Sequence, residues 1–116
     1  MAFSEIERAR LRKVVSAFIA KHRPPPHIRP QLDLSYRLVR QSIEIFEIRP
    51  TWRGAPGETT EHPAAKATFV KSSATWRVFW QRRDLKWHRY PPVPKVPSIE
   101  RFLALVAEDK HACFFG

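Results

Sequence analysis

The sequence predicts an α+β protein, in which an antiparallel sheet of about five strands is covered on one face by an N-terminal and a C-terminal helix. Helical patterns occupy the two ends of the chain, and strand patterns fill its middle. The links between the strand patterns are too short for helical crossovers, so the strands should pair antiparallel. An order of α-β-β-β-β-β-α then gives two layers.

The composition describes a basic chain of one domain, spanning residues 1–116. It carries 21 Lys and Arg against 11 Asp and Glu, a formal net charge of +10. This excess favours phosphate-bearing or acidic partners, although a solvated basic surface also accounts for it. A single cysteine, Cys113, excludes an internal disulfide and fits a reducing compartment. Because the sequence shows neither a membrane-length apolar run nor a secretion signal, we expect a cytoplasmic location and no membrane partner.

Residues 1–23 are predicted to form the first helix. Ser4 and Glu7 have the spacing of a capping box, and apolar residues then recur at helical spacing. Three prolines stop the helix, and residues 24–30 are predicted to be a proline-rich linker.

Residues 98–110 are predicted to form the second helix, with Ser98 as its N-cap. Its buried stripe should consist of four apolar residues at helical spacing: Ile99, Phe102, Leu103 and Val106. The apolar residues at the end of the chain, 111–116, are predicted to dock against the core.

The sheet is predicted within residues 31–90. Apolar and polar residues alternate from Leu32 to Leu38, which indicates a half-buried strand. In the second strand, residues 42–49, the apolar parity changes between Ile45 and Phe46, which indicates either a bulge or burial on both faces. The side of the sheet that Glu44 and Glu47 occupy stays open.

Two segments beside the strands are rich in glycine or proline. Residues 53–63 are predicted to be a mobile loop before a third strand at residues 64–73. Residues 91–97, "PPVPKVP", are predicted to be an extended polyproline segment along the edge or the back of the sheet.

The tryptophan-rich stretch 75–90 supplies the last two strands around a turn at Arg83 and Asp84. A turn with an even number of residues places Trp80 opposite Trp87, whereas an odd number would mix the two faces. The even turn puts one set of side chains against the helices: Trp76, Val78, Trp80, Leu85 and Trp87. The other set points outward: Arg77, Phe79, Gln81, Lys86, His88 and Tyr90.

The outward set is the candidate functional surface, because basic groups interleaved with aromatic rings can stack bases and contact phosphates. The predicted nucleic-acid-binding residues are Arg77, Phe79, Lys86, His88 and Tyr90, with Arg37 and Arg49 as neighbours. An amphipathic surface, in which lysine and arginine stems cover aromatic rings, is the alternative.

Two further functions fit parts of the sequence. A metal-free ribonuclease would use His88 as general acid or base, with Lys86, Arg77 and Tyr90 stabilising the phosphate. A regulatory or immunity-type module would bind an acidic protein through the loop 53–63 and the segment 91–97. The oligomeric state stays open.

Metal and cofactor chemistry finds little support. The chain has no C-x-x-C pair and only three glycines, too few for a phosphate-cradling loop, so no cofactor and no metal is predicted. A metal site at His111 and Cys113 would need ligands from elsewhere in the fold. A metal-dependent nuclease would need Asp33, Glu44 and Lys66 to converge from neighbouring strands.

Several stretches together resemble a small bacterial family known only as a domain of unknown function. They are "TWRVFWQRRDLKWHRYPP", "FEIRPTWR", "AAKATFV" and the terminal "CFFG". The family pattern is similar to W-R-(V/L)-(F/Y)-W-x-R-x-D-L-K-W-H-x-Y followed by C-F-F-G, and the resemblance runs from about Pro26 to Gly116. It implies a bacterial, stand-alone domain and brings no activity or catalytic residues with it.

Overall fold

The computed structural model describes residues 3–109 and Phe114, and it confirms the predicted α+β architecture. One six-stranded antiparallel sheet follows chain order through its first five strands, and the sixth strand pairs with the fourth. The elements are α1 (Glu5–His22), β1 (Asp33–Val39), β2 (Ser42–Pro50), β3 (Thr59–Val70), β4 (Thr75–Gln81), β5 (Trp87–Arg89), β6 (Lys95–Val96) and α2 (Ile99–Glu108).

Both helices begin at the caps that the sequence predicts. The Ser4 hydroxyl accepts from the Glu7 N–H at 3.2 Å, and the Glu7 carboxylate accepts from the Ser4 N–H at 2.9 Å. The backbone bond from Ser4 holds the pKa of Glu7 below its usual value. Ser98 caps α2 by accepting from the Arg101 N–H at 3.2 Å, and the predicted stripe of α2 is buried.

The core lies between the helices and one face of the sheet, called the inner face. Five of its strand residues are almost wholly inaccessible to solvent: Ile43, Ile45, Ala65, Ala67 and Val78. They pack with the buried side chains of α1 and α2. Alternate strand residues point to the opposite, outer face, which neither helix covers. Within the described residues, no helix is long and apolar enough to cross a membrane.

A bulge in β3 lies opposite the point in β2 where the apolar residues change from one face of the sheet to the other. Ile45 lies opposite Ala65, whereas its neighbour Phe46 lies opposite Pro63, so Ala64 is the extra residue. The pairing of β1 with β2 is regular. By alternation from Ile45, Glu44 therefore points to the outer face and Glu47 to the inner face.

The predicted loop 53–63 is wrong in its second half, because β3 begins at Thr59. Residues 59–63 pair with the end of β2, and the gain of ladder hydrogen bonds outweighs the poor strand propensity of Pro63. The pairing of β3 with β4 extends only to Ala65, opposite Trp80. Residues 46–63 therefore extend past β4 as a hairpin, which we call the β2–β3 arm. Its base still pairs with β1 as far as Ile48.

The predicted polyproline segment contributes a strand. Lys95 and Val96 form β6, which pairs with Arg77 and Trp76 of β4. The segment therefore runs along the edge of the sheet and continues the edge that β5 begins.

The register of the last hairpin differs from the prediction. Trp80 lies opposite His88 and Gln81 opposite Trp87, so the turn consists of residues 82–86, an odd number. Leu85 adopts a left-handed backbone (φ 61°) and is 77% exposed, not in the core. The extra turn residue shifts β5 by one position, which exchanges its two faces.

This shift corrects the predicted place of two aromatic residues. Tyr90, predicted to point outward, is fully buried, with its ring 4.8 Å from that of Phe114. Trp87, predicted to lie in the core, is half-buried on the outer face. Phe114 is itself buried; the other residues of the predicted docked tail 111–116 lie outside the described part of the chain.

Candidate nucleic-acid interface

Phe79 is the centre of the outer face. It lies on β4, directly between Lys66 of β3 and Arg89 of β5. The Lys66 ammonium is 5.1 Å from the centroid of the Phe79 ring, and the Arg89 guanidinium carbon is 6.0 Å from it. Both cations are within range of a cation–π interaction, so the ring is framed by positive charge.

Trp87 provides a second ring beside the first. The Lys66 ammonium lies 5.3 Å from the centroid of its ring, so one cation is shared between Phe79 and Trp87. Sequence reasoning missed Trp87 as a surface residue. The only signal that could have found it is the number of residues in the turn before it.

Arg77 and Lys95 place two like charges directly opposite each other, on β4 and β6. Such a pair destabilises a sheet unless an anion lies between the charges. Both side chains are exposed, and neither forms a salt bridge or hydrogen bond with any described residue. The surface formed by these outer-face residues is called the basic patch: Lys66, Arg77, Phe79, Trp87, Arg89 and Lys95.

Arg37, at the other side of the outer face, is already neutralised. Its guanidinium lies 4.4 Å from the centroid of the Phe46 ring and forms ion pairs with Glu44, at 3.7 Å, and with Glu61. Phe46 is only 7% exposed beneath it. This half of the outer face therefore matches the amphipathic alternative, in which an arginine covers an aromatic ring.

Arg49 and Lys86 do not join the patch. By alternation along β2, Arg49 points to the inner side, where its guanidinium forms an ion pair with Glu47 at 3.1 Å. Lys86 lies in the turn, and its backbone N–H donates to the Asp84 carboxylate at 3.0 Å. Lys86 was predicted as a binding residue of the outer face, and the longer turn removes it from the strand. Arg49 was predicted as a neighbour of that face, and the alternation of β2 places it on the other side.

His88 points to the same side as Trp80, opposite to the side of Arg77. Its Nε2 lies 2.8 Å from a carboxylate oxygen of Asp84. The Lys86 N–H, and after it His88, hold the pKa of Asp84 below its usual value. Because Tyr90 is buried and Arg77 lies across the sheet, the four residues of the predicted ribonuclease site are not brought together.

Residues 3–109 and Phe114 contain no group of three or more His, Cys, Asp and Glu side chains that could hold a metal ion. Asp33 accepts two hydrogen bonds from Arg23, at 2.6 and 3.1 Å, while Glu44 lies opposite Lys66 on the outer face. The three residues considered for a nuclease therefore do not converge. His111 and Cys113 lie outside the described residues.

Fold and surface together define a class: a two-layer α+β protein with one sheet face closed by helices and one open face that is basic and aromatic. The chain belongs to the family described as Domain of unknown function (DUF3024), whose model matches residues 3–116. The match takes in α1 as well as the sheet. Comparison with curated proteins and with solved structures gives no match.

Proposed function

We propose that the protein binds nucleic acid through the basic patch. One observation carries the proposal: Phe79 and Trp87 lie half-buried on an open sheet face among four cations, none of which forms a salt bridge with a described residue. Rings on a sheet surface stack bases, and the cations beside them neutralise phosphates.

The energies favour an exchange at the ring of Phe79. An exposed cation–π contact is worth about 0.5–1 kcal/mol. Stacking of a base on an aromatic side chain is worth about 1–3 kcal/mol. The two contacts on Phe79 together are worth about 1–2 kcal/mol, which a stacked base can match or exceed. Once displaced, Lys66 and Arg89 become free to pair with the phosphates on either side. Arg77 and Lys95 supply a further phosphate site, where an anion would relieve their repulsion.

The salt dependence of binding tests the proposal. Fluorescence anisotropy with a labelled single-stranded RNA would give the dissociation constant over a series of salt concentrations. The double variant Arg77→Gln/Lys95→Gln should lower the slope of log K against log salt by about 1.4, or about 0.7 for each lost phosphate contact.

Arg12 and Lys13 provide a matched control, because both are exposed on α1, away from the outer face. The variant Arg12→Gln/Lys13→Gln changes the net charge by the same amount and should leave the slope nearly unchanged. An equal loss of slope in both double variants would mean that net charge alone attracts RNA. The absence of binding at low salt would show that the proposal is wrong.

A further inference from the structure

Trp52, at the tip of the β2–β3 arm, is 82% exposed. The Arg53 guanidinium carbon lies 4.4 Å from the centroid of its ring and covers one face. The turn does not need the ring for its own stability. The Thr51 N–H donates to the Glu58 carbonyl at 3.0 Å, and the hydroxyls of Thr51 and Thr60 share a hydrogen bond of 2.8 Å.

From this geometry we infer that a nucleic acid bound at the basic patch continues to the arm, where one of its bases stacks on the open face of Trp52. The inference rests on the proposed function and adds a second contact site to it. Tryptophan has a large, rigid ring that binds well at low entropic cost, and Arg53 supplies a cation for the adjoining phosphate.

A groove lies between the arm and the last hairpin of the sheet. It has a volume of about 560 Å³ and is lined by Thr60 to Pro63 of the arm and by the turn of the β4–β5 hairpin. Gln81, which lies opposite Trp87 of the basic patch, is one of its lining residues. Arg82 and Arg83 line the groove as well, and the one carboxylate among its described lining residues, that of Glu61, is paired with Arg37. A strand that passes from the basic patch towards the arm would therefore meet two arginines that form no salt bridge with any described residue.

The separation of the two sites points to a single strand as the ligand. At about 3.3 Å per residue, the strand from Lys66 to Thr59 spans roughly 20 Å. Stacking on both Phe79 and Trp52 needs bases that are free of a partner, which a duplex does not offer. A stacked strand that rises about 3.4 Å per nucleotide would need about six nucleotides to reach from the patch to the arm.

A length series tests the inference, with labelled RNA oligouridylates of about four to about sixteen nucleotides, the range of site sizes known for single-strand-binding domains. In the wild type, affinity should rise steeply once the strand is long enough to reach the arm. Trp52→Ala should lower the affinity for the longest strand about 5- to 150-fold and leave the shortest unaffected. Trp52→Phe should restore most of the loss.

Ile6 gives a matched control, since it is 84% exposed but lies on α1. Ile6→Ala should change the affinity for no oligonucleotide. If Trp52→Ala binds every length as the wild type does, the inference is wrong while the proposed function stands. If no length binds, both are wrong. An equal loss of affinity for polyglutamate would show that the arm contacts acidic chains rather than bases, and would also overturn the inference.

Discussion

The two faces of the sheet are built from the same strands and have opposite properties. Neighbouring residues of β3 and β4 show the contrast: Ala67 and Val78 on the inner face are wholly buried, whereas Arg77 on the outer face is exposed beside a like charge. The inner face buries apolar area, which is the main favourable term in folding. Because the inner face supplies that stability, the outer face can carry the like charges of Arg77 and Lys95.

The largest expected effect is a difference in stability between alanine variants of two aromatic residues, Tyr90 and Trp87. Tyr90→Ala should destabilise the protein by about 3–5 kcal/mol, because it opens a cavity in the core. Trp87→Ala should cost less than half as much, since Trp87 is half-buried on the outer face. Urea denaturation would give both values. Similar costs for the two variants would contradict the observed register of β5.

The next effect should be on binding and not on folding. Phe79→Leu keeps an apolar side chain at the centre of the basic patch but removes the ring, so binding of single-stranded RNA should weaken by about 1–3 kcal/mol for each stacked base. Phe18→Leu is the matched control, because Phe18 is also half-buried but lies on α1 beside His22. Anisotropy would measure the first effect and thermal denaturation the stability of each variant. Equal affinities would mean that the ring does not contact bases.

A smaller effect compares two ion pairs, one that joins the sheet to the end of α1 and one that lies within the outer face. Asp33→Asn weakens the two hydrogen bonds that join β1 to Arg23 at the end of α1, and should cost about 1 kcal/mol after allowance for partial exposure. Glu44→Gln on the outer face should cost almost nothing, because its contact with Arg37 is longer and Glu61 also pairs with that arginine.

The effect of Asp33 should depend on pH. The Arg23 guanidinium holds the pKa of Asp33 below its usual value, so the ionised form is favoured in the folded state. Its contribution is complete above the unfolded pKa of about 4 and disappears as the pH falls through the lower folded value. The difference in unfolding free energy between wild type and Asp33→Asn should therefore shrink below about pH 4. If the difference in unfolding free energy stays constant in acid, the ionised carboxylate of Asp33 is not its cause.

The smallest effect should have the opposite sign. Lys95→Glu turns the repulsion with Arg77 into attraction, which should stabilise the protein by about 0.2–1 kcal/mol. The same change should weaken RNA binding, because it neutralises the proposed phosphate site. Thermal denaturation and anisotropy on one preparation would check both. A variant that is less stable than the wild type would show that the two side chains do not repel each other.

Local signals in the sequence were enough to predict both helices. Ser4, Glu7 and Ser98 act within one turn of the chain, so their roles can be identified without the fold. The alternation of Leu34, Tyr36 and Leu38 likewise describes one face of β1, and the structure confirms it.

Long-range pairing explains the misplaced residues. Thr59 to Pro63 form a strand because β2 extends beside them. Their own sequence gives a mixed signal, since two β-branched threonines are followed by a proline. The outward positions of Arg77 and Phe79 were predicted, since β4 alternates cleanly and its parity does not depend on the turn. The predicted outward positions of His88 and Tyr90 were wrong. Either register of β5 places at least one aromatic residue on each face of the sheet, so the composition of the strand could not decide between the two registers.

The turn of the last hairpin has an evolutionary consequence. Deletion of a single residue from 82–86 would move Trp87 and Arg89 from the outer face to the inner face. His88 and Tyr90, and Lys86 where it is retained, would then point outward instead. One codon lost or gained would thus replace several surface groups at once, without any substitution in the strands. Among homologous chains, a change in the length of this turn should therefore alter the outer face more than any single substitution in the hairpin.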